Sequence, residues 1–216
     1  MFYNALELNL INCAHNHDKF WNCDDIKTVK DEIKEYLMLY QKFCCYCQRS
    51  FRNEFKMVID IEHILPSSIF RDLAFNISNL SLSCKRCNME IKKDKLNFTD
   101  NSLLLMGNFL KNKENKKRYI AVLFKGKNIS SFDGIVFNRD NYKIIHPTLD
   151  EYSDHIDVLR IQVNSVEVIS YQAKSPKGKF TKDFFQLVNF EVGGFNKAQG
   201  LELIENMTKI ITKQMI

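Results

Sequence analysis

Two cysteine pairs, Cys44-x-x-Cys47 and Cys84-x-x-Cys87, flank the run Asp60-Ile61-Glu62-His63-Ile64-Leu65-Pro66, and the second pair leads directly into Asn88-Met89-Glu90-Ile91-Lys92. Four thiolates on two short turns are the donor set that closes a tetrahedral Zn²⁺, and the two turns can lie far apart in the chain. With every position filled by protein, such an ion has no place for a reacting water. It is structural, and its binding contributes folding energy on the order of 10 kcal/mol. Between the knuckles lie Glu62, His63 and Asn79, and Asn88 follows the second one. An imidazole titrates near neutrality, so His63 can take a proton from water if a neighbour fixes its tautomer. Glu62 points to the opposite side of an extended backbone, so its carboxylate can meet a hard divalent cation without quenching the base. Hydrolysis of a phosphodiester needs those two parts: a base for water, and a cation to neutralise charge on the phosphorane and the departing 3′ oxygen.

Cys13, Cys23 and Cys45 bring the cysteine count to seven. An odd count built on C-x-x-C pairs reads as metal binding in a reducing compartment, not as a disulfide framework. Cys45 forms a C-x-C spacing with Cys47 that competes for the ion, and the matching second knuckle favours Cys44 with Cys47. Cys13 and Cys23 read as small buried hydrophobes. His15 and His17, in Cys13-Ala14-His15-Asn16-His17, have a metal-like spacing, but a single short cluster of this kind is more often accidental.

The elements that must position these residues follow from periodicity. Apolar side chains at Ile26, Val29, Ile33, Tyr36, Leu37, Tyr40 and Phe43 predict an amphipathic helix over 25–43, capped at Asp24 or Asp25, that delivers the chain to the first knuckle. Residues 55–61 are predicted as a strand leading into the His63 segment, 80–83 as a second strand, and 86–96 as a helix with Asn88, Lys92 and Lys95 on one polar face. Farther on, 119–124, 142–145, 161–163 and 166–169 are predicted as strands, with turns at Asp133-Gly134 and Asn164-Ser165. Leu203, Ile204, Met207, Ile210, Ile211 and Met215 predict an amphipathic C-terminal helix.

At 216 residues, 45% hydrophobic and 26% charged with few Gly and Pro, the chain can fold around one sizeable core or as a small catalytic module plus a second lobe. No apolar run reaches the roughly 20 residues that cross a bilayer, and the first residues lack a basic-then-apolar leader, so a soluble cytoplasmic protein is expected. The net charge of +5 is too modest to identify a nucleic-acid protein. Its distribution says more: positive charge gathers at Lys85-Arg86, at 92–95 and at 111–118, while 148–167 lean acidic. Such runs serve as solvated helix faces about as often as they meet phosphates.

Taken in order, Glu62-His63-Ile64-Leu65-Pro66, Asn79-Leu80 and Cys84-x-x-Cys87-Asn88-x-x-x-Lys92 resemble an HNH endonuclease of the ββα-metal fold in its zinc-knuckle form, over about residues 44–96. The resemblance implies an α+β protein: an HNH ββα-metal core braced by a four-cysteine zinc site, with flanking helices and a second α+β lobe. It implies a metal-dependent DNA endonuclease in which His63 is the general base. Glu62 and Asn88 would hold one catalytic ion, Mg²⁺ or Mn²⁺, and Asn79 would brace the loop that aims the His63 ring. Lys85, Arg86, Lys92 and Lys95 become candidates for contacting DNA. Glu62 stands where Asp is common in the family and Asn88 where His is common. Both offer oxygen to a hard cation, so these departures bear on metal preference more than on reaction class. Asp60, two residues from Glu62 on the same face, is a reserve acidic ligand.

The segment from His146-Pro147-Thr148-Leu149-Asp150 to Asp154-His155-Ile156 resembles one found downstream of the knuckles in PtuB-like HNH proteins, the nuclease subunits of Septu-type anti-phage systems. There it would organise the second lobe. That narrower resemblance implies antiviral defence beside a PtuA-like ABC-type ATPase, docked on the second lobe or the C-terminal stripe. The expected organisation is an N-terminal helical segment 1–43, a nuclease core 44–98 and an accessory lobe 99–216. The competing expectation is a catalytically silent, zinc-stabilised subunit that binds nucleic acid or protein. A sequence-specific homing or restriction nuclease would need a recognition element, and no clear helix-turn-helix or repeat supplies one.

Overall fold

A computed structural model describes residues 2–15, 17, 20–112, 134–163 and 166–191. The strand expected at 119–124, both predicted turns in whole or part, most of the basic run 111–118 and the C-terminal stripe lie outside the described residues.

Helix α1 (Ala5–Ala14) opens on a reciprocal capping box: the Glu7 N–H donates to the Asn4 side chain at 3.0 Å, and the Asn4 N–H donates to the Glu7 carboxylate at 2.6 Å. A short 3₁₀ turn, Asp24–Ile26, then feeds α2 (Lys27–Tyr40), which buries Val29, Ile33 and Leu37. The helix expected to reach residue 43 stops at Tyr40. Gln41 turns extended and spends its side chain on the sheet, accepting the Leu82 N–H at 2.8 Å and donating to Ser81 Oγ at 2.9 Å.

Strands β1 (Ile59–His63) and β2 (Leu80–Cys84) form an antiparallel hairpin in register from Ile59 opposite Cys84 to His63 opposite Leu80. Residues Lys56–Val58 form a 3₁₀ turn, so β1 starts later than the β-branched pattern predicted and runs through His63. Directly paired residues project to the same side. One side of the hairpin therefore carries Asp60, Glu62, Ser81 and Ser83, and the other carries Ile59, Ile61, His63, Leu80 and Leu82.

A π-helix, Arg86–Lys92, follows β2. Its winding shows in the bond from the Lys93 N–H to the Asn88 carbonyl, five residues back, at 2.8 Å. Lys93 adopts φ 52°, which ends the helix short of the predicted Leu96. The helix lies along the polar side of the hairpin. Asn88 and Lys92, about one turn apart, share a helix face, and Asp60 and Glu62, two residues apart, share a strand face. Asn88 meets Asp60, and Lys92 meets Glu62.

Beyond this ββα unit come α3 (Asn101–Lys111), capped by Asp100, the hairpin of β3 (Ile156–Val163) and β4 (Val166–Ala173), and α4 (Pro176–Phe184), capped by Ser175. The strand expected at 142–145 does not form. Tyr142 makes a single bridge to Thr99, and the chain then turns at Pro147 with the His146 N–H bonded to the Asp150 carboxylate at 2.7 Å. That carboxylate also holds Lys177 at 2.7 Å and lies 3.7 Å from His155 Nε2, whose partner nitrogen sits 2.7 Å from Ser175 Oγ. The segment thereby joins the start of β3 to the start of α4.

Among the described residues, those past 98 share a buried cluster with the ββα unit. Ile59, Leu82, Phe98, Leu103, Ile145 and Phe185 belong to one buried cluster. Tyr152 and Tyr171 donate to the carbonyls of Tyr46 and Cys47 at 3.1 and 2.7 Å, pinning the first knuckle from the accessory side.

Candidate active site

The four knuckle cysteines are buried, and their sulfurs lie within 4.8 Å of one another. Cys47 and Cys84 are 3.8 Å apart. A Zn–S length of about 2.3 Å places the sulfurs of a tetrahedral site about 3.8 Å apart, so this donor set fits zinc. The Cys84 N–H points at Cys44 Sγ from 3.4 Å, a contact that favours thiolate. Gln48, at φ 54°, makes the left-handed turn after the first pair. Cys45 stays outside the set. Its N–H joins Leu82, and burial pushes its thiol well above the ordinary range.

His63 ends β1 on the hairpin side away from Glu62. Its Nε2 lies 3.0 Å from the Ala74 carbonyl oxygen. A carbonyl can only accept, so the bond assigns the proton to Nε2 and leaves the Nδ1 lone pair free. Trp21 packs against the ring edgewise, with centroids 4.3 Å apart. Burial lowers the His63 pKa to about 4, against the pull of the Ala74 bond and with help from the Lys92 charge. The imidazole is therefore neutral across the neutral range, the state a general base requires.

Asn79 connects both sides of this arrangement. Its Oδ1 accepts the Leu65 N–H at 2.8 Å, and its Nδ2 donates to the carbonyls of Leu65 and Leu73 at 3.1 and 3.2 Å. Its own carbonyl accepts the Ile64 N–H at 2.9 Å. The two residues after His63 and the residue just before Ala74 are thus tied to Asn79.

Glu62 and Lys92 are placed differently from the sequence expectation. Glu62 is fully buried, with Lys92 Nζ 2.6 Å from its carboxylate, the Tyr46 hydroxyl donating at 3.0 Å and Ser83 Oγ at 3.4 Å. Burial raises the Glu62 pKa, and Lys92 pulls it back down. Lys92, expected to contact phosphate from a polar face, is 1% exposed. The polar face exists, but it packs on β1. Besides Glu62, the ammonium donates to the His63 carbonyl at 2.7 Å and lies over the Phe98 ring. Lys92 therefore anchors the strand end that carries the imidazole.

The oxygen donors that remain partly open are Asp60 and Asn88. The Asn88 carboxamide is 3.3 Å from Asp60 Oδ2, and exposed Lys85 caps the other oxygen at 2.8 Å. Arg86, the second expected DNA contact, donates to the carbonyls of Phe185 and Gln186 and stacks over Phe190. Both of its terminal nitrogens thus make a bond within the chain. Lys95 is exposed beside Phe184. Trp21, Tyr46, Ser83 and the Ala74 carbonyl were not anticipated as parts of the site. Only Ser83 left a sequence trace, since strand alternation puts it on the side of Glu62.

Residues 44–94 match the family model described as HNH endonuclease, which supports an HNH nuclease domain over that part of the chain. No curated protein and no solved structure matches. No helix among the described residues is long and apolar enough to cross a membrane.

Proposed function

We propose that the chain is a metal-dependent DNA endonuclease in which His63 Nδ1 takes a proton from the attacking water. The observation that carries this reading is the Ala74 carbonyl on His63 Nε2, because it sets the tautomer and leaves a neutral, directed base. Asn79 holds the loop that presents that carbonyl, and Lys92 holds the backbone of His63 itself.

The donor chemistry favours Asp60 with Asn88, over Glu62 with Asn88, as the holders of a divalent cation. For Glu62 to ligate, a buried ion pair must be opened, which leaves an uncompensated charge at about 3–5 kcal/mol. For Asp60 only the half-exposed Lys85 must be displaced, a surface pair worth about 1 kcal/mol or less. With the amide turned so that its oxygen faces outward, a carboxylate and a carboxamide suit Mg²⁺ or Mn²⁺. Such an ion supplies charge neutralisation at the phosphate. Exposed Lys85 and Lys95 remain as phosphate contacts.

The narrower resemblance extends the proposal to an effector of anti-phage defence working with an ABC-type ATPase in the cytoplasm; its support is the chain length, an HNH core preceded by a helix and the sequence of 146–156. A second reading, the silent binding subunit, draws on one observation: the expected acidic ligand is already neutralised by Lys92. Comparing Asp60→Asn with Glu62→Gln separates the ligand assignments. The first is expected to raise the Mg²⁺ or Mn²⁺ needed for plasmid cleavage without loss of stability, and the second to lower stability. The opposite pattern would return the ligand role to Glu62.

A further inference from the structure

His17, Cys23 and Asp25 converge outside the site described above, with a nitrogen, a sulfur and an oxygen donor within 4.8 Å of one another. The sequence offered only His15 with His17, a spacing more often accidental, and Cys23 read as a buried hydrophobe. The His15 ring instead stacks on Phe20 and meets Phe75 edgewise, both at 5.5 Å, while Cys23 is part-exposed beside Asp25.

We propose that these three residues form a second metal site, separate from the four cysteines, that takes a divalent ion of the Zn²⁺ class with a fourth position open to water. The sulfur of Cys23 and Oδ2 of Asp25 are 3.4 Å apart, close to the roughly 3.5 Å between two such donors on one tetrahedral Zn²⁺. Imidazole with thiolate selects Zn²⁺ over Mg²⁺ or Ca²⁺. A thiolate and a carboxylate offset the charge of the ion, and binding releases the Cys23 thiol proton to solvent. The Cys23 thiol rests on the Asp25 carboxylate and not on the backbone of the fold. Cys23 precedes the 3₁₀ turn Asp24–Ile26 without capping it, and His17 and Asp25 are exposed. The described backbone on either side is held from outside: the Arg71 guanidinium bonds the carbonyls of His15 and His17, and Lys30 bonds the carbonyl of Trp21 at 3.0 Å.

The loop closed by this trio carries Trp21, the one tryptophan of the chain, whose ring lies against His63. An ion there fixes the residue that covers one edge of the imidazole. It also makes Trp21 fluorescence a direct reporter, independent of cleavage.

The test uses the full chain with its four-cysteine site loaded, beside Cys23→Ser and His17→Ala. Zn²⁺ per chain is measured after gel filtration, Trp21 quenching by Co²⁺ is titrated, and alkylation of Cys23 is followed by mass spectrometry with exposed Cys13 as internal control. The expected result is one equivalent more metal in the parent than in either variant. Saturable quenching should be absent from both variants, and Zn²⁺ at ten times its dissociation constant should slow Cys23 alkylation about tenfold while sparing Cys13. Equal metal content and quenching in the parent and Cys23→Ser would overturn the site. So would alkylation of Cys23 at one rate with and without Zn²⁺.

Discussion

Replacing Lys92 by Met is expected to destabilise the protein by about 3–5 kcal/mol, because it strands the fully buried Glu62 carboxylate. That is a large share of the 5–15 kcal/mol by which domains are typically stable. The Tyr46 and Ser83 hydroxyls remain on the carboxylate, so some solvation survives, while the bond to the His63 carbonyl is lost as well. The sign of the pH dependence follows. Burial already raises the Glu62 pKa, and without the opposing pull of Lys92 it rises further. The folded variant then holds its proton more tightly than the unfolded chain, so its deficit shrinks as pH falls from neutrality and grows as pH rises. The double variant Glu62→Gln, Lys92→Met removes both charges and should recover much of the loss, the pattern a coupled pair gives in a double-mutant cycle. Denaturant unfolding of zinc-loaded protein measures each corner. If Lys92 were a phosphate contact on a solvated face, Lys92→Met would change stability by no more than about 0.5 kcal/mol and lower the salt dependence of DNA binding. That result would refute the reasoning.

Asn79→Ala should cost about 2–3 kcal/mol by leaving the buried Leu65 N–H without its acceptor, and it should lower cleavage more than DNA binding, since the loop carrying Ala74 loses its tie. Thermal unfolding and a binding assay read the two effects apart. Acid should destabilise the fold early: burial lowers both His63 and His146 to about 4. Each contributes stability that is complete above the ordinary value near 6.5 and is lost as pH falls toward 4, with an upper bound of about 3.4 kcal/mol per histidine. Unfolding free energies across that window, compared with His146→Gln, measure one share.

The convergence of the two cysteine pairs, the hairpin that carries His63 and a place for Asn79 beside it were legible because each leaves a local mark: paired cysteines, β-branched runs, and an Asn at the mouth of a strand. The buried state of Lys92 left none. A Lys four residues after Asn88 shares its face in an α- or π-winding, and only the hairpin lying against that face decides whether the face is wet. Arg86 is similar, because the carbonyls it holds belong to residues about a hundred positions later. The strand predicted at 142–145 failed for a nearer reason. Tyr142, Ile144 and Ile145 are buried as the pattern requires, but Pro147 and the Asp150 carboxylate turn the chain before a ladder can extend. Helix α1 lies in the segment expected to be helical, but it has no clear apolar stripe to mark its bounds; the Asn4–Glu7 capping box fixes its start.

The most direct measurement is cleavage of supercoiled plasmid with Mg²⁺ or Mn²⁺ by the zinc-loaded protein and by His63→Ala, with the products of neighbouring genes both present and absent. Cleavage by the parent, lost in the variant while its zinc content, unfolding midpoint and DNA binding stay intact, is the result expected if His63 is the base. Equal cleavage by the two proteins, or none by the parent under any of these conditions, would contradict it.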